Sequence, residues 1–231
     1  SSITGLSGNT YTFTIQDANT CSVTGSFTVT EPAALTSSTT HTDVSCHGAA
    51  DGTATVTAGG GTNPYTYLWS NFQSGATASG LSAGTYYVII TDAHGCTKRD
   101  TATIAEPAAI AIADTVLNVG CNGNSGAINI GVTGGTSPYT YAWTGGATTQ
   151  DITAGAGTYT VTVTDAHNCT ATLTRTITQP APLAFTDSVT NVTCNGSANG
   201  AISTNVTGGT TPYTYTWSNG STSSSITGLS G

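Results

Sequence analysis

An all-β fold, built as a row of small antiparallel β-sandwiches, is what this sequence predicts, and three observations predict it. Apolar and polar residues alternate with a period of two. In "TYTVTVT" (158–164), Tyr159, Val161 and Val163 face one way while Thr158, Thr160, Thr162 and Thr164 face the other, as in a strand with one buried and one wet face. Turn-forming clusters such as "HGAADG", "GGGTNP", "GLSAG" and "DAHG" separate these runs, at the roughly 8–12-residue spacing of sandwich strands. No segment carries a capped helical stripe.

The same landmarks return at a fixed interval. "NPYTYLWS" (63–70), "SPYTYAWT" (137–144) and "TPYTYTWS" (211–218) lie 74 residues apart. "EPAAL" (31–35) returns as "EPAAI" (106–110) and "QPAPL" (179–183); "NTYTFTIQDANTC" (9–21) returns as "GTYYVIITDAHGC" (84–96) and "GTYTVTVTDAHNC" (157–169). "VSCHGAADG" (44–52) returns as "VGCNGNSGA" (119–127) and "VTCNGSANG" (192–200). A period of this kind divides the chain into repeated units: residues 33–107 and 108–181 form two whole ones, 1–32 the tail of a preceding unit and 182–231 the head of a following one. Because "SSITGLSGNTY" and "SSSITGLSG" mark the same phase at the two ends, an excerpt of a longer array is expected.

Within unit 33–107 the strands are expected in this order. Strand A runs to about Cys46, and B covers 53–58 with Ala54, Val56 and Ala58 inward. C covers 64–70, D and E share 75–82, F covers 85–91 and G covers 97–105. Tyr65, Tyr67 and Trp69 share one face of C, and Tyr86 follows a glycine at the start of F. A Trp on C and a Tyr at the F corner mark immunoglobulin-like sandwiches. The expected aromatic core is therefore Tyr65, Tyr67, Trp69 and Tyr86 in one unit, Tyr139, Tyr141, Trp143 and Tyr159 in the next, and Tyr213, Tyr215 and Trp217 in the last. A unit this small needs dense anchors, which is why every copy repeats them. Pro64, Pro138 and Pro212 preset the B–C turn.

Composition excludes several functions. With 3 Lys+Arg against 11 Asp+Glu there is no basic patch for nucleic acid or anionic lipid, and no apolar run approaches the ~20 residues of a membrane span. No nucleophile, base and orienting group recur together, so no enzyme is expected. "AGGGT" lacks the Lys-Ser/Thr of a phosphate loop, and Lys98, the sole lysine, rules out one Lys–Asn crosslink per unit. His47, His94 and His167 adjoin or approach cysteines, but Asn19, Asn122 and Asn195 take the equivalent places, so a turn role is favoured over zinc. Asp17, Asp92 and Asp165 each open the F–G turn. An Asx-type turn explains them; calcium, with Glu31 and Glu106 as further ligands, is the one cofactor left open, though Gln179 breaks that set and no dense acidic loop accompanies it. Otherwise no cofactor is expected.

The string C-x-G-x-x-x-G-x-(I/A)-x-V-x-x-G-G-x-x-P-Y-T-Y-x-W-(S/T), followed by G-L-S-A-G-T-Y-x-V-x-(V/I)-T-D-A-x-x-C, resembles the SprB repeat, named for a gliding-motility adhesin of Bacteroidetes. The unit also looks like a PKD-type module through its "GTYxV" strand. The resemblance covers essentially the whole chain. It implies a long extracellular, cell-surface protein exported by type IX secretion, whose tandem modules form an end-to-end rod. The expected role is a stalk or filament segment for gliding or attachment, with neighbouring repeats of the same chain as partners, and surface glycans or other filaments as further ones. The alternative is a repeated carbohydrate- or surface-binding module. Tyr87 and Ile89 replace outward Thr of other units and form a candidate sticky patch. The resemblance also implies O-glycans on Asp–Ser/Thr–aliphatic triplets, here at Thr101, Thr115 and Ser188.

Six cysteines in an extracellular array imply disulfides. Pairing within a unit would join Cys46 to Cys96 and Cys121 to Cys169. In this fold Cys46, before the A–B turn, and Cys96, after the F–G turn, stand at opposite ends of a strand about 26 Å long, beyond the ~7 Å a disulfide tolerates between Cα atoms. A staple from Cys46 to Cys169 across a junction is the favoured expectation, with Cys21, Cys96, Cys121 and Cys194 pairing outside the window. The within-unit pattern remains open beside it.

Overall fold

Alternating segments with a wet threonine face and a dry Val/Ile face become strands, and the described residues, 2–231 of the computed structural model, contain no helix. The chain divides into two units, Ser1–Pro107 and Ala108–Gly231.

The first unit opens with a hairpin of β1 (Asn9–Gln16) and β2 (Ser22–Val29). It continues with β3 (Thr36–Thr42), β4 (Gly52–Gly59), β5 (Thr66–Trp69), β6 (Thr77–Leu81), β7 (Gly84–Thr91) and β8 (Thr97–Ile104). These six make two antiparallel sheets, β3-β4-β6 and β5-β7-β8. The second unit repeats the plan with β9 (Ala111–Leu117), β10 (Gly126–Thr133), β11 (Thr140–Trp143), β12 (Ile152–Ala154), β13 (Gly157–Thr164) and β14 (Thr170–Ile177), paired as β12-β10-β9 and β11-β13-β14. It ends with β15 (Ala184–Thr190), β16 (Gly200–Thr207) and β17 (Ser225–Leu229), a sheet in that order.

Each complete module closes its own core. Val88 and Ile90 of β7 are fully buried against Ala54, Val56, Trp69 and Leu81, and Val161 and Val163 of β13 against Ile128, Ile130 and Trp143. At roughly 1.5–3 kcal/mol per buried side chain, these are the main favourable contacts of a small sandwich. The opposite faces carry threonine pairs across the strands, Thr85 with Thr103, Thr158 with Thr176 and Thr160 with Thr174, with Oγ1 atoms 3.3, 3.0 and 2.8 Å apart. Such pairs suit a pleated wet face without using charge.

Two expected elements differ. Strand D does not form: β6 pairs with β4 and is strand E. The chain reverses directly after Trp69, whose N–H bonds Gln73 O at 2.9 Å while Phe72 takes φ 66°, leaving too few residues for another strand. Strand A ends at Thr42, short of Cys46. Past that point the chain crosses to the other sheet, and the Val44 N–H donates to Ala105 O at 3.2 Å.

Candidate functional site: clasps at the two ends of each module

Between modules the sequence places an acidic or amide residue, a proline and small apolar residues, and both sides of that linker are tied down. The incoming side meets the paired glycines before the PYTY motif. Gly135 N–H donates to Ala108 O at 2.7 Å, and Gly61 N–H to Ala33 O at 2.7 Å. Gly134 sits at φ 73°, and a Cβ there would lie 2.0 Å from Ala109 O; at Gly60, with φ 67°, it would lie 2.0 Å from Ala34 O. Only glycine admits both the left-handed backbone and the close approach. The first tyrosine of each motif then reaches back to the glycine carbonyl: Tyr139 Oη donates to Gly134 O at 2.6 Å, and Tyr65 Oη to Gly60 O.

The F–G turn closes the same end. Asp165 is buried, with Oδ2 accepting from Thr136 N–H at 2.8 Å and Oδ1 from His167 and Cys169 N–H, both at 2.9 Å. Asp92 does the same with Thr62 at 3.0 Å, His94 at 2.9 Å and Cys96 at 2.8 Å. Burial pushes both carboxyls up, but the three backbone donors, with the neighbouring histidine charge, outweigh it and hold each below the ordinary carboxylate value. Both carboxylate oxygens are thereby committed to main-chain donors from two loops. Among the described residues no three His, Cys, Asp or Glu side chains group as metal ligands.

The outgoing end has its own clasp. Glu106 Oε2 accepts from Gly48 N–H at 2.8 Å, and Gln179 Oε1 from Gly123 N–H at 3.2 Å. Asp43 Oδ1 accepts from Ala105 N–H at 2.8 Å, and Asn118 Oδ1 from Thr178 N–H at 2.9 Å. Acid and amide interchange because the position needs an acceptor oxygen, not a charge. The swap that argues against a ligand set thus marks a conserved hydrogen-bonding job, which residue type alone did not reveal. His47 Nδ1 lies 3.3 Å from Glu106 Oε2, so that histidine decorates the clasp.

Trp69 and Trp143 are buried, with Nε1 donating to Gly75 O at 3.0 Å and Thr149 O at 2.9 Å. Trp217 keeps the bond, to Ser223 O at 2.7 Å, but is half-buried. Tyr65, Tyr67, Tyr86, Tyr139, Tyr141, Tyr159, Tyr213 and Tyr215 are all half-buried. Tyr86 and Tyr159 turn their hydroxyls to Ser82 O and Gly155 O, each at 3.1 Å. Thr101, Thr115 and Ser188 are exposed on β8, β9 and β15.

Cys46 and Cys169 are disulfide-bonded, whereas Cys21, Cys96, Cys121 and Cys194 are exposed thiols. The bonds Cys46–Cys96 and Cys121–Cys169 are therefore not made. Val44 lies at the Ala105 end of β8 and Cys96 at its other end, about 26 Å of strand away.

One surface feature went unread in the sequence. Tyr87 and Ile89 are exposed as their replacement of Thr suggests, and Leu68, opposite Ile89 in the ladder, is 50% exposed, while Phe72, in the turn that follows β5, is 89% exposed. Arg99 lies over the Tyr87 ring at 4.1 Å, a cation–π contact that covers part of the patch.

The described residues include no helix long and apolar enough to cross a membrane. No curated protein matches the sequence. Among solved structures, an amphioxus IgVJ-C2 molecule is similar at 15% identity and TM-score 0.25, over 52% of this chain and 91% of that one. The N-terminal eight Ig domains of Down Syndrome Cell Adhesion Molecule are similar at 10% identity and TM-score 0.40, over 86% of this chain and 34% of that one, so this chain spans about a third of that length. The SprB repeat model matches residues 38–74, 113–148 and 186–222. Each matched segment runs from the first strand of a module through its PYTY motif and into the turn beyond, three times in register, and the chain accordingly belongs to the SprB repeat family.

Proposed function

We propose that this chain is a stalk segment of a long extracellular adhesin, serving gliding or surface attachment by spacing and carrying force rather than by catalysis. The observation that supports it is the double clasp. Glu106 is tied to Gly48, and Ala108, two residues later, is tied to Gly135, so almost no slack chain separates two folded modules. In this reading Cys46 and Cys169 are joined to each other and keep the junction from hinging, and a closed loop of that length is worth roughly 5 kcal/mol in the chain-entropy picture. The modules need no cofactor, glycans decorate Thr101, Thr115 and Ser188, and neighbouring repeats are the principal partners. Stretching single molecules should give abrupt, similar unfolding events from the two complete modules, unchanged by chelator. A smooth low-force extension would refute a mechanical role, and a nonreducing peptide map joining Cys46 to Cys96 would refute the staple. Intact mass of the natively produced protein reads the glycans directly.

The Leu68, Phe72, Tyr87 and Ile89 patch favours a second reading, in which module 33–107 itself adheres to surfaces. Binding of a module-33–107 fragment to a glycan array or an apolar surface, lost in Phe72→Ser with Tyr87→Thr, would support adhesion by the module over a passive stalk.

A further inference from the structure

The turn after each PYTY motif closes in the same way. Phe72 N–H donates to Trp69 O at 2.9 Å, Gly146 N–H to Trp143 O at 3.0 Å and Gly220 N–H to Trp217 O at 2.9 Å. All three residues are left-handed, with φ 66°, 89° and 83°. Glycine takes that backbone freely, whereas a bulky side chain is strained there. Phe72 is 89% exposed, so no burial inside the module offsets the strain. The turn is nonetheless braced: Gln73 Nε2 donates to Ser79 O at 2.8 Å, and its Oε1 accepts from Ser79 N–H at 3.0 Å. Ala147, the counterpart of Gln73, has no side-chain group for such a clamp. An aromatic held rigidly in water at a strained position has the form of a binding anchor.

Four more positions of the same module depart together. Leu68, Tyr87, Ile89 and Arg99 stand where module 108–181 has Ala142, Thr160, Thr162 and Thr172. Leu68, Ile89 and Arg99 are successive partners across β5, β7 and β8, a row about 10 Å wide. Tyr87 shares their face, and Ser70 N–H, at the start of the Phe72 turn, donates to Tyr87 O at 2.8 Å. Alternation turns Lys98 and Asp100 to the other side of β8, and the remaining outward residues of the three strands are threonines. The face thus carries one positive charge and no carboxylate, in a chain of net charge −8. Arg175 is held by Asp114. Among the described residues Arg99 has no such ion pair; it lies over Tyr87 at 4.1 Å, and its planar fork suits a carboxylate from outside.

We propose that this face of module 33–107 binds an acidic polysaccharide, a polymer of uronic acids. This ligand class rests on the reading in which the module itself adheres. Arg99 takes a sugar carboxylate in a charge-assisted pair. Phe72 and the Leu68–Ile89 row take the C–H faces of the sugar rings, and the surrounding threonines exchange hydrogen bonds with sugar hydroxyls. A flat face bordered by hydroxyls suits a sugar chain lying across it better than the shaped bulge of a folded protein. Linked sugars reach from one anchor to the next, so each contact after the first is intramolecular, and a single uronic acid should bind far more weakly than the polymer.

The test titrates the whole chain calorimetrically with polygalacturonate, alginate, methyl-esterified polygalacturonate, polyglutamate and neutral dextran. The two polyuronates should bind, and less tightly as salt rises. Arg99→Thr should lower affinity roughly tenfold or more. Esterification should weaken binding alike, with no further loss when the two changes are combined. Phe72→Gly, which installs the residue of the other copies, should also weaken binding yet raise the melting temperature, so a damaged fold cannot account for it. Thr160→Ala, on the matching face of module 108–181, should leave binding unchanged. Equal binding of the esterified and free polymers, or undiminished binding by Arg99→Thr, overturns the proposal. Polyglutamate binding as tightly as the polyuronates overturns it in favour of an acidic protein partner. A chain that ignores every polymer but still coats an alkyl-terminated surface loses the ligand class and keeps adhesion; one that does neither loses both.

Discussion

Replacing Trp143 by alanine tests whether each module stands on its own core. The indole is 5% exposed, and its Nε1 donates to Thr149 O at 2.9 Å. Truncating a buried Trp costs about 3–5 kcal/mol through lost transfer energy and the cavity left behind. A module of 74 residues has a total stability of only about 4–11 kcal/mol at the usual value per residue, so Trp143→Ala should leave module 108–181 marginal. Trp217→Ala removes the same ring and the same indole–carbonyl bond, but from a half-buried site, and should cost roughly 1–2 kcal/mol. Urea denaturation separates the two cases. In Trp143→Ala, hydrogen exchange at Val88 and Ile90 reports module 33–107 while exchange at Val161 and Val163 reports the damaged module. The expected result is a large fall in the protection of Val161 and Val163 with that of Val88 and Ile90 nearly unmoved. Equal losses for Trp143→Ala and Trp217→Ala, or a loss below ~1 kcal/mol for the former, would refute the claim that closed sandwiches bury this ring for stability.

Three further outcomes are expected. Gly134→Ala should cost at least the ~1–2 kcal/mol of a left-handed alanine, and more for the 2.0 Å approach to Ala109 O, seen as a lower melting temperature of module 108–181. Glu106→Gln should be nearly neutral, because Gln179 does that job natively, whereas Glu106→Ala should lose about 0.5–1.5 kcal/mol; paired thermal melts compare them. Asp92 and Asp165 have folded pKa values below the ordinary 3.8, so their contribution is whole above that pH and is lost as pH falls through the folded values. Melting temperature should therefore drop on acidification below about pH 4, and Asp92→Ala with Asp165→Ala should flatten that part of the profile.

Much of the architecture was legible because alternation and aromatics report burial directly. The Tyr159, Val161, Val163 face points inward, with both valines fully buried, and Trp69 and Trp143 lie in the two cores. What stayed hidden depends on hydrogen-bond partners distant in sequence. The paired glycines mark a B–C turn in the sequence, yet their role is also to admit the linker backbone at Ala34 and Ala109. Gln179 breaks the acidic series in charge but keeps its acceptor oxygen. Strand D read as present because "GATASGLS" is long enough for two weak strands; the tight reversal after Trp69 uses up the residues that would have made it.

The acidic character of the chain has a structural origin that net charge alone conceals. Of 11 acidic residues, eight accept a main-chain N–H: Asp17, Asp43, Asp51, Asp92, Asp100, Glu106, Asp151 and Asp165. Asp114 instead forms a two-pronged pair with Arg175, both bonds 2.7 Å. The remaining two, Glu31 and Asp187, lie in the half-modules at the chain's ends, and Glu31 occupies the position that Glu106 uses to hold Gly48. Carboxylates in this chain are fasteners for loops and linkers, and hydrogen bonds to a charged acceptor are about twice as strong as neutral ones. A sandwich with short turns has many loop N–H groups that no ladder satisfies, and each one buried without a partner is costly. Placing one short acidic side chain per loop meets that need with few residues. It leaves the broad sheet faces to threonine, and a surface nearly free of lysine and arginine follows without any selection for an acidic partner. Salt should consequently weaken these modules little, because their carboxylates act through short-range contacts to the backbone and not through a long-range field that a Debye layer of about 8–10 Å would screen.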